Sequence, residues 1–260
     1  MESLKSNTVE YEVIMAGPLE PSITDMFTSQ YPQLKYIQTA DIKVAQCYEI
    51  ARLSCIGDLI AWISDDCRLP EGALDKVYNK LVDKDFVFNK TILALPTHDP
   101  ACPNNSLNDQ RFFSRNLNTP QMAQIGFMSR KYLEKLGGLD RRYVYGKWES
   151  DICMRVLADG GQVLKFEDVV VEIDHTSKNG HLTNDWSGVN EDSETLENSW
   201  VIGGYKDFEK PLYAQTVEGN IMVYFPISNR EVTLKRLDTF EPFEDKDIII
   251  KSQSLKSRWC

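Results

Sequence analysis

Hydrophobic and polar positions follow two rhythms along the first two thirds of the chain: short apolar runs of strand length, separated by stretches with helical spacing. Tyr11 to Met15 (YEVIM) is one such run, ended by the turn-forming Ala16-Gly17-Pro18, and reads as a strand. Residues 22–30 predict a short helix and Leu34 to Gln38 (LKYIQ) a second strand. From Val44 to Ile56 the apolar side chains fall at 44, 47, 50, 51 and 55, close to the helical repeat, and Gly57 ends the run. Asp58 to Ser64 (DLIAWIS) is continuously apolar at its centre, the pattern of a strand buried on both faces of a parallel sheet. Pro70-Glu71 opens a helix over about 71–83, and Phe86 to Leu95 is a further strand region. Gln124 to Ser129 then predicts a strand, and Arg130 to Leu136 a helix closed by Gly137-Gly138. A helix over about 149–159 ends at Gly160-Gly161, and Val163 to Phe166 and Val169 to Ile173 are rich in strand formers.

Strands alternating with helices predict an α/β fold, a mostly parallel Rossmann-like sheet flanked by helices. Ligands of such sheets bind beyond the carboxyl ends of the strands, which is where Asp65 and Asp66 fall. Residues 97–120, rich in Pro, Asn and Ser, read as one long irregular loop of the kind that forms lids. From about residue 182 the character changes: 182–200 is polar and acidic, and 201–260 carries scattered short apolar runs. The expected organisation is a core domain over 1–181 and a C-terminal extension over 182–260 packed on it.

Composition narrows the function classes. The 260 residues carry 39 acidic and 29 basic side chains, a net charge of −10, which weighs against a nucleic-acid binder held by phosphate contacts, local basic patches aside, and suits a protein that gathers divalent cations. The six cysteines form no CxxC pair, so zinc-ribbon and thioredoxin-like readings fall away. No stretch reaches the length of a membrane span, and the polar N-terminus has no apolar signal core. A cytoplasmic, reducing location is expected, with the sequons at Asn89 and Asn104 as chance matches.

Three groups of residues carry candidate chemistry. Ser64-Asp65-Asp66 ends a buried strand; adjacent carboxylates repel unless solvated or bound to a cation, and their oxygens favour Mg²⁺ or Mn²⁺. The plain alternative is a solvated turn before Pro70. Gly137-Gly138-Leu139-Asp140 leads to Trp148-Glu149-Ser150-Asp151, with two acids at the start of a helix. Either they complement the helix dipole, or one faces the cleft as a general base. Arg155, four residues after Asp151, is spaced to pair with it. His175 follows a strand; a lone His is more often structural than a ligand. His98 and His181 have no chemical neighbours in the sequence.

In their order and spacing, these residues resemble the family 2 glycosyltransferases of the GT-A fold, the nucleotide-diphospho-sugar transferases. The resemblance runs from about Glu2 to His175. Gly57-Asp58-Leu59-Ile60-Ala61-Trp62-Ile63-Ser64-Asp65-Asp66 is similar to the family's strand and DxD element, with Pro70 and Leu74 at the usual distance after it. Gly137 to Asp140 followed by Trp148 to Arg155 is similar to its GG-x-D and ED-x-D-L-x-x-R element. The resemblance implies a metal-dependent, inverting transfer of a hexosyl or pentosyl unit from a nucleotide-diphospho-sugar, a UDP-sugar in the first instance, to an acceptor hydroxyl. It implies that Asp66, with Asp65 and His175, holds Mn²⁺ or Mg²⁺, and that Asp65 or Ser64 contacts the donor. Glu149 takes the place of the catalytic base, while Asp151 and Trp148 shape the acceptor side.

Departures from the family pattern are specific. Ser64 stands at the first Asp of the DxD element, and Met15-Ala16 before Gly17 replaces the acidic pair that helps read the base. The family's first strand has no counterpart. The expectation is either a shortened front or a nucleotide pocket built from other residues, with Ala16, Gly17, Lys43 and Gln46 contributing. The segments 45–51 and 252–259 resemble small transferases encoded by bacterial viruses. Two other functions stay open: a sugar-phosphate nucleotidyltransferase, weakened by the lack of a glycine-rich triphosphate loop, and a non-catalytic degenerate transferase that binds glycan or nucleotide. Acceptors range over glycan, lipid carrier, protein and modified DNA base. For the last, Arg111, Phe112, Phe113 and Arg115 would supply a cationic stacking surface.

Overall fold

The first strand and its partner form where the apolar runs predict them. β1 (Val13–Gly17) pairs in parallel with β2 (Leu34–Gln38). Helix α1 (Pro21–Gln30) connects them, with Pro at its first position, where no backbone donor is needed. This is a computed structural model, and it describes residues 1–39, 43–82, 90–98, 113–116, 119–173, 187–202, 213–217, 220–224, 234–236 and 241–242.

Helix α2 (Val44–Leu53) leads to β3 (Leu59–Trp62), whose end carries the acidic pair. β4 (Cys67–Arg68) and α3 (Ala73–Leu81) follow, then β5 (Thr91–Ala94) and β6 (Thr97–His98). A hairpin of β7 (Phe113–Asn116) and β8 (Thr119–Met122) precedes β9 (Gly126–Ser129) and α4 (Arg130–Lys135). After α5 (Trp148–Ala158) come β10 (Gln162–Lys165) and β11 (Val171–Ile173). The chain continues with α6 (Ser187–Ser199), β12 (Trp200–Ile202), the hairpin β13 (Tyr213–Val217) and β14 (Asn220–Tyr224), and β15 (Leu234–Arg236) paired with β12.

The central sheet has the order β10-β5-β9-β3. β10 and β5 are parallel, while β9 runs against both β5 and β3. The fold is α/β with helices flanking its sheet, and that sheet is mixed. Strand periodicity divides the core between the two faces. Ile60, Trp62, Ile92, Ala94, Met128 and Val163 lie on one side, packed with residues of α2, α4 and α5. Leu93, Leu95 and Phe127 lie on the other, against Ala73, Val77 and Leu81 at i, i+4 and i+8 of α3. Each large apolar side chain buried this way stabilises the fold by about 1.5–3 kcal/mol.

Two stretches differ from expectation. The polar run at 97–120 contains β6 and the β7–β8 hairpin, because backbone pairing forms strands from residues with no apolar alternation. Within it, residues 99–112, including Arg111 and Phe112, lie outside the described residues, as do the side chains of Phe113 and Arg115. The acidic stretch 182–200 holds α6. Its buried Asp192, Ser193, Leu196, Ser199 and Trp200 recur at helical spacing, and Leu196 and Trp200 join the same core cluster as α5. Cys47, Cys55, Cys67 and Cys153 are thiols, not joined in disulfides. Among the described residues, no helix is long and apolar enough to cross a membrane.

Candidate active site

The acidic turn follows directly from β3. Trp62 anchors the end of that strand: its indole N–H donates to the Ala123 carbonyl at 2.8 Å, and its ring lies over Gly126 of the adjacent β9. A Cβ at Gly126 would stand 2.2 Å from the ring, so only glycine permits this pairing. Beyond Trp62 the chain turns. Asp65 is exposed and Asp66 half-buried, with Asp66 accepting a hydrogen bond from the Ser64 hydroxyl. Ser64, where the family pattern has an acid, thus orients the second carboxylate. Cys67 Sγ lies 3.1 Å from the same hydroxyl, and burial pushes its thiol up to about 11.

Glu149 lies in the first turn of α5, a helix buried on all sides from Trp148 to Val156. Lys147 precedes it with a left-handed backbone, φ 64°, an uncommon conformation for a non-glycine residue. Burial raises the Glu149 carboxyl to about 7, against its own backbone amide and the Lys147 charge, which favour ionisation, while Asp192 adds to the rise. A carboxyl that exchanges its proton near neutrality is suited to general-base work. Two residues on, Asp151 is fully buried. One of its oxygens accepts from Arg155 Nε at 2.8 Å, the spacing-expected pair, and the other accepts from the Trp200 indole at 2.8 Å. Arg155 also donates to the carbonyls of Leu136 and Gly138. Asp151 therefore fixes α5 against the glycine turn.

That turn is held from a second direction. Glu49 and Arg52 of α2 form a buried two-point ion pair, and Glu49 accepts from the Leu139 amide at 3.2 Å. Gly138 has φ 78°, and a Cβ there would meet Glu49 Oε1 at 2.7 Å, so both backbone and space require glycine. Asp140 accepts from the backbone and the guanidinium of Arg142.

Tyr48, on α2, joins the two halves of the site. Its ring packs on Trp148 with centroids 4.7 Å apart, and Trp148 in turn meets Trp62 edge-on at 6.0 Å. The Tyr48 phenol is raised above its ordinary range first by burial, then by the charges of Cys67, Asp65, Glu149 and Asp66. A single hydroxyl within electrostatic reach of all three carboxylates brings the turn after β3 and the start of α5 to the same end of the sheet.

The other sequence candidates scatter around this end. Ala16 and Gly17 finish β1 beside Ile37 and Gln38, and the Gly17 carbonyl accepts from the Thr39 amide. Lys43 is exposed at the start of α2, with Nζ 3.2 Å from the Tyr145 hydroxyl. The Gln46 side chain accepts from the Lys43 amide at 3.1 Å and so caps that helix. Trp148 is buried at 4% exposure, a wall behind Tyr48. His98 pairs through β6 with β11, and His175 and His181 lie outside the described residues. Among the described residues, no three His, Cys, Asp or Glu side chains converge as a complete metal-ligand set. Asp65 and Asp66 supply oxygen donors of the kind hard cations take, and Mg²⁺ sites commonly combine one or two carboxylates with phosphates and water.

Sequence reading did not single out Tyr48, Asp192, Trp200 or the Glu49–Arg52 pair. The signal for the last was present as i,i+3 opposite charges on a predicted helix. Asp192 and Trp200 act through contacts distant in sequence, which no local pattern announces.

No family model matches the chain, and no curated protein matches it. Among solved structures, GalNAc-T7 with UDP, GalNAc and Mn²⁺ is similar, with a TM-score of 0.53 and 12% identity over 75% of this chain. The fold is GT-A-like. The chain covers 43% of that structure's chain. In a GT-A-like frame, the described site sits at one end of the central sheet, with α2 and α5 on one face and the acidic turn at its rim.

Proposed function

We propose that the protein is a divalent-cation-dependent, inverting glycosyltransferase that moves a sugar from a nucleotide-diphospho-sugar to an acceptor hydroxyl. The observation that carries this reading is Tyr48, which shares its surroundings with Asp65, Asp66 and Glu149. The GT-A-like fold and the UDP and Mn²⁺ of the similar structure support the donor class. The order of motifs supports a family 2-like branch.

Asp66 and Asp65 would hold Mn²⁺ or Mg²⁺, with His175 as a further candidate ligand. When bound, the cation would neutralise charge on the leaving diphosphate. Glu149 accepts the acceptor hydroxyl proton, and its near-neutral pKa keeps enough of the carboxylate form for the task while leaving it basic. Asp151, which accepts from Arg155 and Trp200, would keep Glu149 aimed. Trp148 and Tyr48 form the wall between donor and acceptor sides. Lys43, beside Tyr145, would meet diphosphate charge, and Ala16 and Gly17 would line the nucleotide side. Residues 1–181 would form the catalytic domain and 182–260 an extension that completes it.

The test is consumption of UDP-sugars with Mn²⁺ and a panel of hydroxyl acceptors. Wild type is expected to turn over, and Glu149→Gln to lose about 10²–10⁴-fold in kcat, the range of general-base contributions. Glu149→Gln turning over at the wild-type rate would overturn the assignment.

A further inference from the structure

Helix α6 reaches Glu149 from both sides along the chain. Ahead of it, the Asp192 carboxylate accepts three successive backbone N–H groups: Val144 at 2.8 Å, Tyr145 at 2.7 Å and Gly146 at 2.8 Å. Behind it, Trp200, the first residue after the helix, donates its indole N–H to Asp151. Both side chains are buried, Asp192 at 1% and Trp200 at 6% exposure. Three consecutive amides turned onto one carboxylate form an anion cradle, here filled by the protein's own side chain. The same loop accepts from α2, the Ala45 amide donating to the Val144 carbonyl at 3.0 Å. The loop that Asp192 shapes is therefore continuous with the helix that carries Tyr48 and with the left-handed turn at Lys147.

We infer that Asp192 and Trp200 are positioning residues for Glu149, a two-point clamp through which the C-terminal extension sets the aim of the base. This rests on the reading of Glu149 as the base. A clamp of this form acts in two ways. Geometrically, it fixes the loop at 144–147 before α5 and the second acid after Glu149, so that rotation of the first helical turn is blocked at both ends. Reactions tolerate little misplacement of a base, and small shifts cost large factors in rate. Electrostatically, Asp192 is a buried negative charge near Glu149. The charged and titratable groups facing Glu149 are Lys147 on the preceding loop, Cys153 on its own helix, Tyr48 on α2 and Asp192 on α6, with Asp65 and Asp66 beyond Tyr48. Lys147 favours the carboxylate and Asp192 disfavours it, so removing the Asp192 charge moves Glu149 towards stronger acidity.

The experiment uses the full chain with Asp192→Asn and Trp200→Phe, each close in shape to the native side chain. Three readouts are taken: the pH profile of kcat for UDP-N-acetylgalactosamine and UDP-glucose consumption, a ¹³C-carboxyl NMR titration of Glu149 assigned by its loss in Glu149→Gln, and amide exchange at 144–146. Asp192→Asn is expected to shift the Glu149 midpoint down by about half a unit or more, with the acidic limb of the rate profile following. It is also expected to speed exchange at Val144, Tyr145 and Gly146 by about tenfold. Trp200→Phe is expected to lower kcat about tenfold at unchanged KM. An unchanged Glu149 midpoint together with unchanged exchange in Asp192→Asn overturns the clamp. Should wild type consume no UDP-sugar while the titration and exchange move as stated, the clamp stands and the glycosyltransferase reading falls. Should Asp192→Asn fail to fold, Trp200→Phe decides: wild-type kcat there overturns the inference.

Discussion

At the residue scale, Glu149 couples function to stability. Its carboxyl titrates at about 7 in the folded protein against 4.5 for the ordinary group, so the folded state holds a proton that the unfolded chain has released. Between those values the folded protein binds more protons than the unfolded one, and stability falls as pH rises. The stability that the neutral form supports is fully present below 4.5 and is lost as pH passes through about 7. A shift of that size corresponds to about 3 kcal/mol. Glu149→Gln is therefore expected to be inactive yet more stable than wild type by up to about 3 kcal/mol at pH 8, with the gain vanishing near pH 4. Urea unfolding midpoints across that range check it, and a variant no more stable than wild type at pH 8 would refute it. The position of Glu149 at a helix start was legible in the sequence. Its burial was not, because the side chains that enclose it come from α2 and α6.

At the element scale, the β3–β9 pairing decides where the acidic turn points. Trp62 faces Gly126 across the ladder, and nothing larger fits beneath its ring. Gly126→Ala is expected to cost about 3 kcal/mol by overpacking, the upper end for an added methyl group in a tight core. Chemical denaturation measures the loss, and nucleotide binding should weaken as Trp62 shifts the turn after it. Breaking the buried Glu49–Arg52 pair with Glu49→Ala leaves an uncompensated guanidinium and is expected to cost about 3–5 kcal/mol. Most strands and helices up to residue 94, and those from 126 to 173, were legible because each carries an apolar rhythm of its own, whereas the two-residue strands β4 and β6 are too short to carry one. The β7–β8 hairpin and α6 were not. The hairpin's residues show no apolar alternation, and among the described side chains of α6 the buried ones are Leu196 with Asp192, Ser193 and Ser199, with Trp200 just beyond the helix. A helix that buries carboxylates and hydroxyls against partners elsewhere in the chain looks, in sequence, like a solvated linker.

At the scale of the whole molecule, described residues of the C-terminal third pack against α5 and the loop before it. α6 supplies core residues, the cradle carboxylate and the indole on Asp151. Farther on, Arg141 and Glu241 form an ion pair, and the Arg141 amide donates to the Glu241 carbonyl at 2.8 Å, tying the glycine turn's far end to the extension. A chain cut after residue 181 is expected to lose its cooperative thermal transition, since it exposes apolar surface of the α5 cluster and strips a donor from a buried carboxylate. A cooperative melt within a few degrees of the full chain would contradict that. The net charge of −10 is, at this scale, partly a set of buried acids with assigned partners, Glu49, Asp140, Asp151 and Asp192, and partly the exposed Asp65 beside the half-buried, Ser64-bonded Asp66.

The central claim is that Asp65, Asp66 and Glu149 belong to one nucleotide-sugar site with separable roles. Calorimetric titration with UDP, with and without Mn²⁺, tests it most directly when wild type, Asp66→Ala and Glu149→Gln are compared. Mn²⁺-dependent binding is expected in wild type, with that binding retained in Glu149→Gln and lost in Asp66→Ala. No binding by wild type with any divalent cation, or equal affinity in Asp66→Ala, would contradict it.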